Sequence, residues 1–355
     1  MSPEAARKLE PAAVNTLLSV LEEELGTDLG RLLGEVGPSV PTAAWDEALL
    51  VPLRDFLGRH GKRFRERFAS LCWTLSGRDE PPPELLPLLI EYVHAGSLIV
   101  DDVQDGSSVR RGDDALHVRY GVPLAINAGN WLYFFPLVML ERLDLPPARE
   151  LILHRQMART MLRCHFGQAL DLAARCHAWD AAALPRVAAA ITELKTASLF
   201  CLSAKLVAEV AQAPPARAAA LVRFAGELGT ALQQLDDLGN LRAGRAGSGS
   251  TGQVDPKRHE DLRRGRVTYA WSLAADRLSA EALTELQSEA RAVELHGGDV
   301  LSLARRLDRA VGEPGRARVR HRLRDALDAL RIEVGDAPEI GALEHEIARL
   351  EASYG

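Results

Sequence analysis

The sequence predicts an all-α fold, a large helical bundle built as one domain around a central cavity. Three observations carry that prediction. The 355-residue chain is 47% hydrophobic but only 5% aromatic, with Ala, Leu and Arg dominant, which is a helix-forming composition. Apolar positions recur with the helical period almost throughout, broken at Gly and Pro, and no alternating strand pattern of useful length interrupts them. Two acidic clusters, Asp101-Asp102-Val103-Gln104-Asp105 and Asp236-Asp237-Leu238-Gly239-Asn240, lie on such patterns. Aimed into one bundle they describe a cavity that holds divalent metal against a phosphorylated substrate. Two carboxylates about 4 Å apart repel by roughly 4 kcal/mol at an effective dielectric near 20, so the clusters ask for bound cations.

Taken in order, a first helical segment spans about residues 61–75 and stops before Pro81-Pro82-Pro83. The next carries the first acidic cluster, and Gly112 is expected to end it. Pro146-Pro147 and Pro214-Pro215 separate later helices. Residues 243–256, AGRAGSGSTGQVDP, are the one stretch that reads as flexible, either a flap over a site or a plain surface insertion. Residues 339–352 are amphipathic and pack as a last helix. No Pro/Gly/Ser-rich linker splits the chain, so residues 1–355 read as a single domain.

A net charge of −6, with arginines scattered and not gathered on one segment, gives no electrostatic case for nucleic acid. Cys72, Cys164, Cys176 and Cys201 show no framework spacing, and residues 1–14 lack the basic-then-apolar pattern of a secretory signal. A cytoplasmic protein with reduced thiols is expected. Cys164-His165 and Cys176-His177 suggest zinc, but without a C-x-x-C spacing buried small hydrophobes explain them as well. The longest uninterrupted apolar runs, such as residues 131–135, fall far below the roughly 20 residues of a spanning helix, so no membrane span is expected.

His94, Ser97, Asp101 and Asp105 are spaced by three, four and four, which stacks them on one helix face. Mg²⁺ uses one or two carboxylates together with phosphate oxygens and water, and a pair at this spacing supplies them. Arg110 and Arg111 follow, and arginine forks grip phosphate oxygens. Gln233, Asp236, Asp237 and Asn240 repeat the scheme at i, i+3, i+4 and i+7. Either cluster alone is explained by a solvated or capping face; their joint occurrence is what points to metal.

Positive charge comes from two further places. Gly61-Lys62-Arg63-Phe64-Arg65 brings Lys62 and Arg65 onto one helical turn, and Lys195 sits in the apolar context Lys195-Thr196-Ala197-Ser198-Leu199-Phe200. Only five lysines occur against 38 arginines, so lysine at 62 and 195 suggests sites that want a compact point charge. A snorkelling surface lysine explains either one singly.

The strings GKxxR, His94 seven residues before DDVQD, RRG, GQALD, KTASLF, LQQLDDLGN and EDLRRGRVT follow the order and spacing of the trans-polyprenyl diphosphate synthases. The resemblance covers about residues 50–275. Within that family the chain looks most like geranylgeranyl diphosphate synthases of eukaryotic type, whose first motif is similarly followed by RRG and whose second likewise ends in Asn.

That resemblance implies the isoprenoid synthase type I helical fold, a homodimer, and two diphosphate substrates. By position Lys62, Arg65, His94 and Arg111 would bind isopentenyl diphosphate. Asp101, Asp102, Asp105, Arg110, Lys195, Thr196, Gln233, Asp236, Asp237 and Arg266 would hold the allylic diphosphate, with Asp101, Asp105 and Asp236 ligating Mg²⁺, three ions in all. The implied chemistry is ionisation of the allylic diphosphate and attack by the alkene, driven by preorganised charge in a closed, dry cavity. Proton removal falls to the released diphosphate, so no side-chain base is assigned.

Four features depart from the family pattern. Arg266 stands where the family has the lysine of G-K-x-T, Asn240 replaces the last Asp of the commoner second motif, Leu235 stands where many relatives are polar, and residues 243–256 lengthen the link to Glu260-Asp261. Chain length in such enzymes follows from what blocks the cavity. Gly96 and Ser97 are small, which permits growth past fifteen carbons. Tyr133 and Phe134, with His165, match the deeper floor of enzymes that stop at twenty; ordinary core packing of the aromatics is the other reading. A class I terpene cyclase shares the helical cavity but has no use for the cations at 62, 65, 94 and 111. A non-catalytic partner subunit commonly loses one acidic cluster, and both stand here.

Overall fold

The structure, a computed structural model, describes residues 17–23, 32–61, 63–242 and 259–354. Lys62 and the glycine-serine stretch 243–256 lie outside the described residues. Helices make up nearly all of what is described, with one two-residue antiparallel ladder beside them. The chain divides into two compact units, residues 1–66 with 83–144 and residues 67–82 with 145–355.

In the first unit a short helix, Thr42–Trp45, continues through a π turn, Asp46–Leu50, into α1 (Val51–Gly58). Then come the start of α2 (Phe64–Leu75), α3 (Leu85–Gln104), the strands β1 (Val109–Arg110) and β2 (Asp113–Asp114), α4 (Leu116–Tyr120) and α5 (Val122–Glu141). The core gathers on α3, which buries Leu86, Leu88, Leu89, Ile90, Tyr92, Val93 and Ile99. Tyr92 resolves the problem of a buried hydroxyl by donating to Leu17 O at 2.6 Å. Its ring meets Phe135 edge-on at 5.2 Å, and Phe135 stacks on Trp131 at 4.5 Å.

Two glycines fix how closely α3 and α5 approach. A Cβ on Gly96 would stand 2.6 Å from Gly129 O, and one on Gly129 would stand 2.8 Å from a Val100 methyl. Gly96 is therefore small because a second backbone passes there. Its missing side chain serves the helix crossing. Gly96→Ala should force the helices apart and cost about 1–3 kcal/mol, read as a lower midpoint in urea unfolding. An unchanged midpoint would contradict the packing role.

The second unit holds the end of α2, then α6 (Pro147–Ala173), α7 (Leu184–Ile191), a π turn (Thr192–Ala197), α8 (Ser198–Ala211) and α9 (Pro215–Gly239). After these come α10 (Glu260–Arg263), α11 (Tyr269–Arg277), α12 (Ala280–His296), α13 (Val300–Leu307), α14 (Glu313–Val334) and α15 (Pro338–Tyr354), the last near the terminal helix expected over 339–352. The proline pairs open helices as the pattern predicts. Pro146 and Pro214 are extended N-caps with ψ of 137° and 141°, because a residue before proline avoids the α region. Pro147 and Pro215 then take the first helical position, where no N–H is needed. Phe68 packs edge-on to Phe200 at 5.7 Å and lies 6.3 Å from Phe224, while a second apolar cluster surrounds the fully buried Trp271.

Two stretches, Val122–Glu141 and the continuous run Leu184–Ala211, are long and apolar enough to cross a bilayer by length and composition. The sequence reading counts only unbroken apolar runs, whereas the first stretch includes Gly, Asn and Pro and the second includes Arg186, Glu193, Lys195, Lys205 and Glu209. The second is 56% buried, as a core helix is, and carries the π turn that positions Lys195.

Candidate active site

In the first unit the site is built from the end of α3 and the β1–β2 hairpin. Asp101 and Asp102 occupy the last turn of α3 and Asp105 its C-cap, with no basic residue in that turn. The helix stops at Gln104, helped by Gly106 at φ 55°, and Gly112 does not end it. Gly112 and Arg111 instead form the two-residue turn between the strands, at φ 85° and 56°. Both central residues of such a turn need positive φ, and Arg111 is held there without the freedom of glycine, a local strain of the kind found at functional sites.

The hairpin carries Arg110 to Asp102. Asp102 is 1% exposed and receives Arg110 Nε at 2.8 and 3.0 Å, with Nη2 alongside. Asp101 lies 3.7 Å from the same guanidinium. Asp102 thus holds the hairpin to the end of α3.

A cationic pocket lies beside them. Arg111 lays its guanidinium 5.3 Å above the Phe56 ring, and Gly61 makes room for it, since a Cβ there would come within 2.9 Å of Arg111 Cζ. Arg59 stacks on the same ring at 5.6 Å, pairs with Asp55 at 3.1 Å and donates to Arg110 O at 3.3 Å. Arg65 follows in the first turn of α2, but that helix begins only at Phe64, with Arg63 at φ 42°. The expectation that Lys62 shares a helical turn with Arg65 falls on a residue outside the described ones. Glu91, buried at 5% exposure, accepts from Glu66 N at 3.2 Å and supplies the carboxylate that offsets burial of Arg111. Ser97 donates to His94 O at 2.8 Å.

Burial, then the charges of Arg65, Arg111 and Arg110, hold His94 well below its ordinary 6.5. A neutral imidazole among three guanidiniums is a site prepared for an anion. The sign for stability is fixed: below about pH 6.5 the unfolded chain takes up a proton that the folded pocket refuses. His94 therefore contributes stability above that pH and loses it on acidification. His94→Gln should flatten the fall in unfolding free energy between about pH 7 and 5, and an unaltered pH profile would refute this.

In the second unit Asp236 and Asp237 occupy the last turn of α9, again with no basic residue there. Asp237 accepts Gln233 Nε2 at 2.8 Å and Tyr269 N at 2.7 Å, while Gln233 Oε1 receives the Thr196 hydroxyl at 2.7 Å. Burial pushes the Asp237 carboxyl up to about 7, against those hydrogen bonds and with the Asp236 and Asp171 charges adding to it. Burial, with the charges of Asp237 and Asp171, also raises Asp261 well above the carboxylate range. Asn240 donates Nδ2 to Asp261 at 3.0 Å, so its amide holds a neighbouring acid. Leu235 is buried, an apolar packing position.

Lys195 Nζ meets Asp171 Oδ2 at 2.6 Å, and Arg266 Nη1 meets the same oxygen at 2.8 Å. Arg266 is buried and its backbone pairs with Arg175; in this chain the arginine of G-R-x-T reaches a carboxylate. Of the proposed chain-length residues Gly96 and Tyr133 meet within the first unit, a Cβ on Gly96 falling 3.3 Å from Tyr133 Cδ1. Tyr133 is half-buried, Phe134 is 67% exposed, and His165 is exposed with Nδ1 at 2.8 Å from Met161 O.

Residues 46–296 match the model of the polyprenyl synthetase family. The chain belongs to that family. Membership makes it a prenyltransferase. A geranylgeranyl pyrophosphate synthase from Eremothecium gossypii is 30% identical over 240 residues, covering 66% of this chain and 71% of the relative. A terpene synthase from Matsumurasca onukii is 31% identical over 202 residues, covering 55% and 61%. A solved polyprenyl synthase from Caulobacter crescentus, in complex with calcium and isoprenyl diphosphate, superposes with a TM-score of 0.69 at 23% identity, covering 97% and 98%. That structural likeness establishes the all-α isoprenoid synthase type I fold.

Sequence reasoning passed over three carboxylates of this polyprenyl synthetase: Glu91, Asp171 and Asp261. The last two stand inside the motif strings GQALD and EDLRRGRVT, so the signal was present, but nothing local distinguishes one acid on a polar helix. Among the described residues no three His, Cys, Asp or Glu side chains form a ready-made metal group. Each unit instead offers hard carboxylate oxygens at a helix end, a donor set suited to Mg²⁺ completed by phosphate and water.

Proposed function

We propose that the chain condenses isopentenyl diphosphate with an allylic diphosphate (dimethylallyl, geranyl or farnesyl) and stops at geranylgeranyl diphosphate. The observation that carries this reading is the position of both acidic clusters, in the C-terminal turns of α3 and α9, neither of which contains a basic residue of its own. That is the negative end of the helix macrodipole, where each carboxylate is disfavoured by about 0.3–1 kcal/mol. Acids kept at two such ends are arranged for cations.

Asp101, Asp105 and Asp236 are the proposed Mg²⁺ ligands, and three ions are expected with the allylic diphosphate. When bound, they would neutralise charge building on the departing diphosphate. Arg110 and Asp102 fix the hairpin; Lys195, Thr196 and Gln233 orient the allylic diphosphate; Arg65, His94 and Arg111, with Lys62, receive isopentenyl diphosphate. The Caulobacter enzyme's calcium and isoprenyl diphosphate support this ligand class, and the Eremothecium relative's name supports the twenty-carbon product. A homodimer is proposed, supported within the first unit by the exposed apolar residues Val122, Ile126 and Phe134 of α5, a pattern that marks protein contacts.

The test incubates the purified chain alone with Mg²⁺, isopentenyl diphosphate and each allylic primer. A twenty-carbon diphosphate is expected. A cyclised hydrocarbon formed without isopentenyl diphosphate would instead favour a class I terpene cyclase, and no turnover would favour a partner subunit. Tyr133→Ala with Phe134→Ala should lengthen the product beyond twenty carbons, and an unchanged limit would sink the chain-length assignment.

A further inference from the structure

Lys195 and Thr196 lie on the π turn Thr192–Ala197, where the backbone makes a wide loop between α7 and α8. Wide turns of this kind inside helices gather at functional sites. Two helices close on it, each through a glycine. A Cβ on Gly167 of α6 would stand 2.5 Å from Lys195 N and 2.9 Å from Leu194 Cβ, and one on Gly229 of α9 would stand 2.7 Å from Ala197 Cα. Neither position tolerates a side chain at that spacing.

One helical turn beyond each glycine, where an i+4 residue lies on the same face, a polar side chain grips the loop. Asp171 follows Gly167 and takes Lys195 Nζ at 2.6 Å. Gln233 follows Gly229 and accepts the Thr196 hydroxyl at 2.7 Å. Asp171 does more than pair with lysine, because its Oδ2 also receives Arg266 at 2.8 Å. Arg266 in turn is fixed by the backbone bridge to Arg175 and by Cys176 N donating to Gly265 O at 2.7 Å. Asp171, Arg266 and Lys195 have side chains 11%, 6% and 29% exposed, so lysine is the outermost member of the triad.

The geometry points to Asp171 as a positioning residue that acts through Lys195: with Gly167 it sets where the ammonium group stands, while Arg266 holds the carboxylate in place. This rests on the proposal that Lys195 holds the allylic diphosphate. Hydrogen bonds to charged groups contribute enough that losing the lysine's orientation corresponds to about tenfold or more in affinity.

The experiment measures KM for farnesyl diphosphate and for isopentenyl diphosphate in the full chain with Mg²⁺, for wild type, Lys195→Met, Asp171→Asn and the double variant. Each single change should raise the allylic KM about tenfold or more, with the isopentenyl KM within about twofold. The double variant should be no worse than Lys195→Met within about twofold, because the two residues act as one unit. Multiplying defects, or a Lys195→Met defect that Asp171→Asn does not reproduce, overturns the positioning role alone. An allylic KM unmoved by Lys195→Met overturns the assignment of Lys195 itself. Gly167→Ala decides the matter if Asp171→Asn does not fold: it keeps all three charges, shifts Lys195 N, and should reproduce the allylic defect with native circular dichroism. A folded Gly167→Ala protein with a wild-type allylic KM refutes the inference.

Discussion

Asp101→Asn is expected to lower kcat by about a hundredfold to a thousandfold at saturating Mg²⁺ and both diphosphates, while urea unfolding stays within about 0.5 kcal/mol of wild type. The two halves of that expectation come from the same geometry. Asp101 has a side chain 22% exposed, 3.7 Å from Arg110 and one turn from Asp105 at the negative end of α3. Neutralising it there relieves repulsion from Asp102, Asp105 and the helix end, so folding should not suffer. Catalysis loses a carboxylate proposed to hold the cation that meets charge developing on the leaving diphosphate. Kinetics and unfolding should therefore part company. A variant that keeps most of its turnover would remove Asp101 from the metal site, and a large loss of stability would mean that its charge is structural.

What could be read in the sequence was whatever one helix decides by itself. The face carrying His94, Ser97, Asp101 and Asp105 was legible because a single period of 3.6 residues sets it, and α3 runs unbroken through Gln104. The proline pairs were legible because each fixes its own backbone. Pairings between distant segments were not. Asp171 meets partners 24 and 95 residues away, and Gly96 is explained only by Gly129 on another helix. Arg-Arg-Gly read as a helix stop because glycine just past a helix is a common C-terminal signal. Strands of two residues carry no alternation that would have announced a hairpin, and the π turn at Thr192–Ala197 leaves composition unchanged.

The hairpin should also be where one substitution costs the most stability. Arg110→Met is expected to destabilise the protein by about 3–5 kcal/mol, because it removes the guanidinium that bonds both oxygens of Asp102, a side chain 1% exposed. A carboxylate that deep cannot regain its hydration once the arginine is gone. Changing both members tests the cause: Asp102→Asn on top of Arg110→Met discharges the stranded carboxylate and should recover a large part of the loss, giving a coupling well above the about 0.5 kcal/mol of independent sites. Activity is not expected to return with stability, since Arg110 also aligns β1 against β2 and so carries Arg111 to its place above Phe56. If Arg110→Met unfolds within about 1 kcal/mol of wild type, water reaches Asp102 and the pair is not what holds the hairpin to α3.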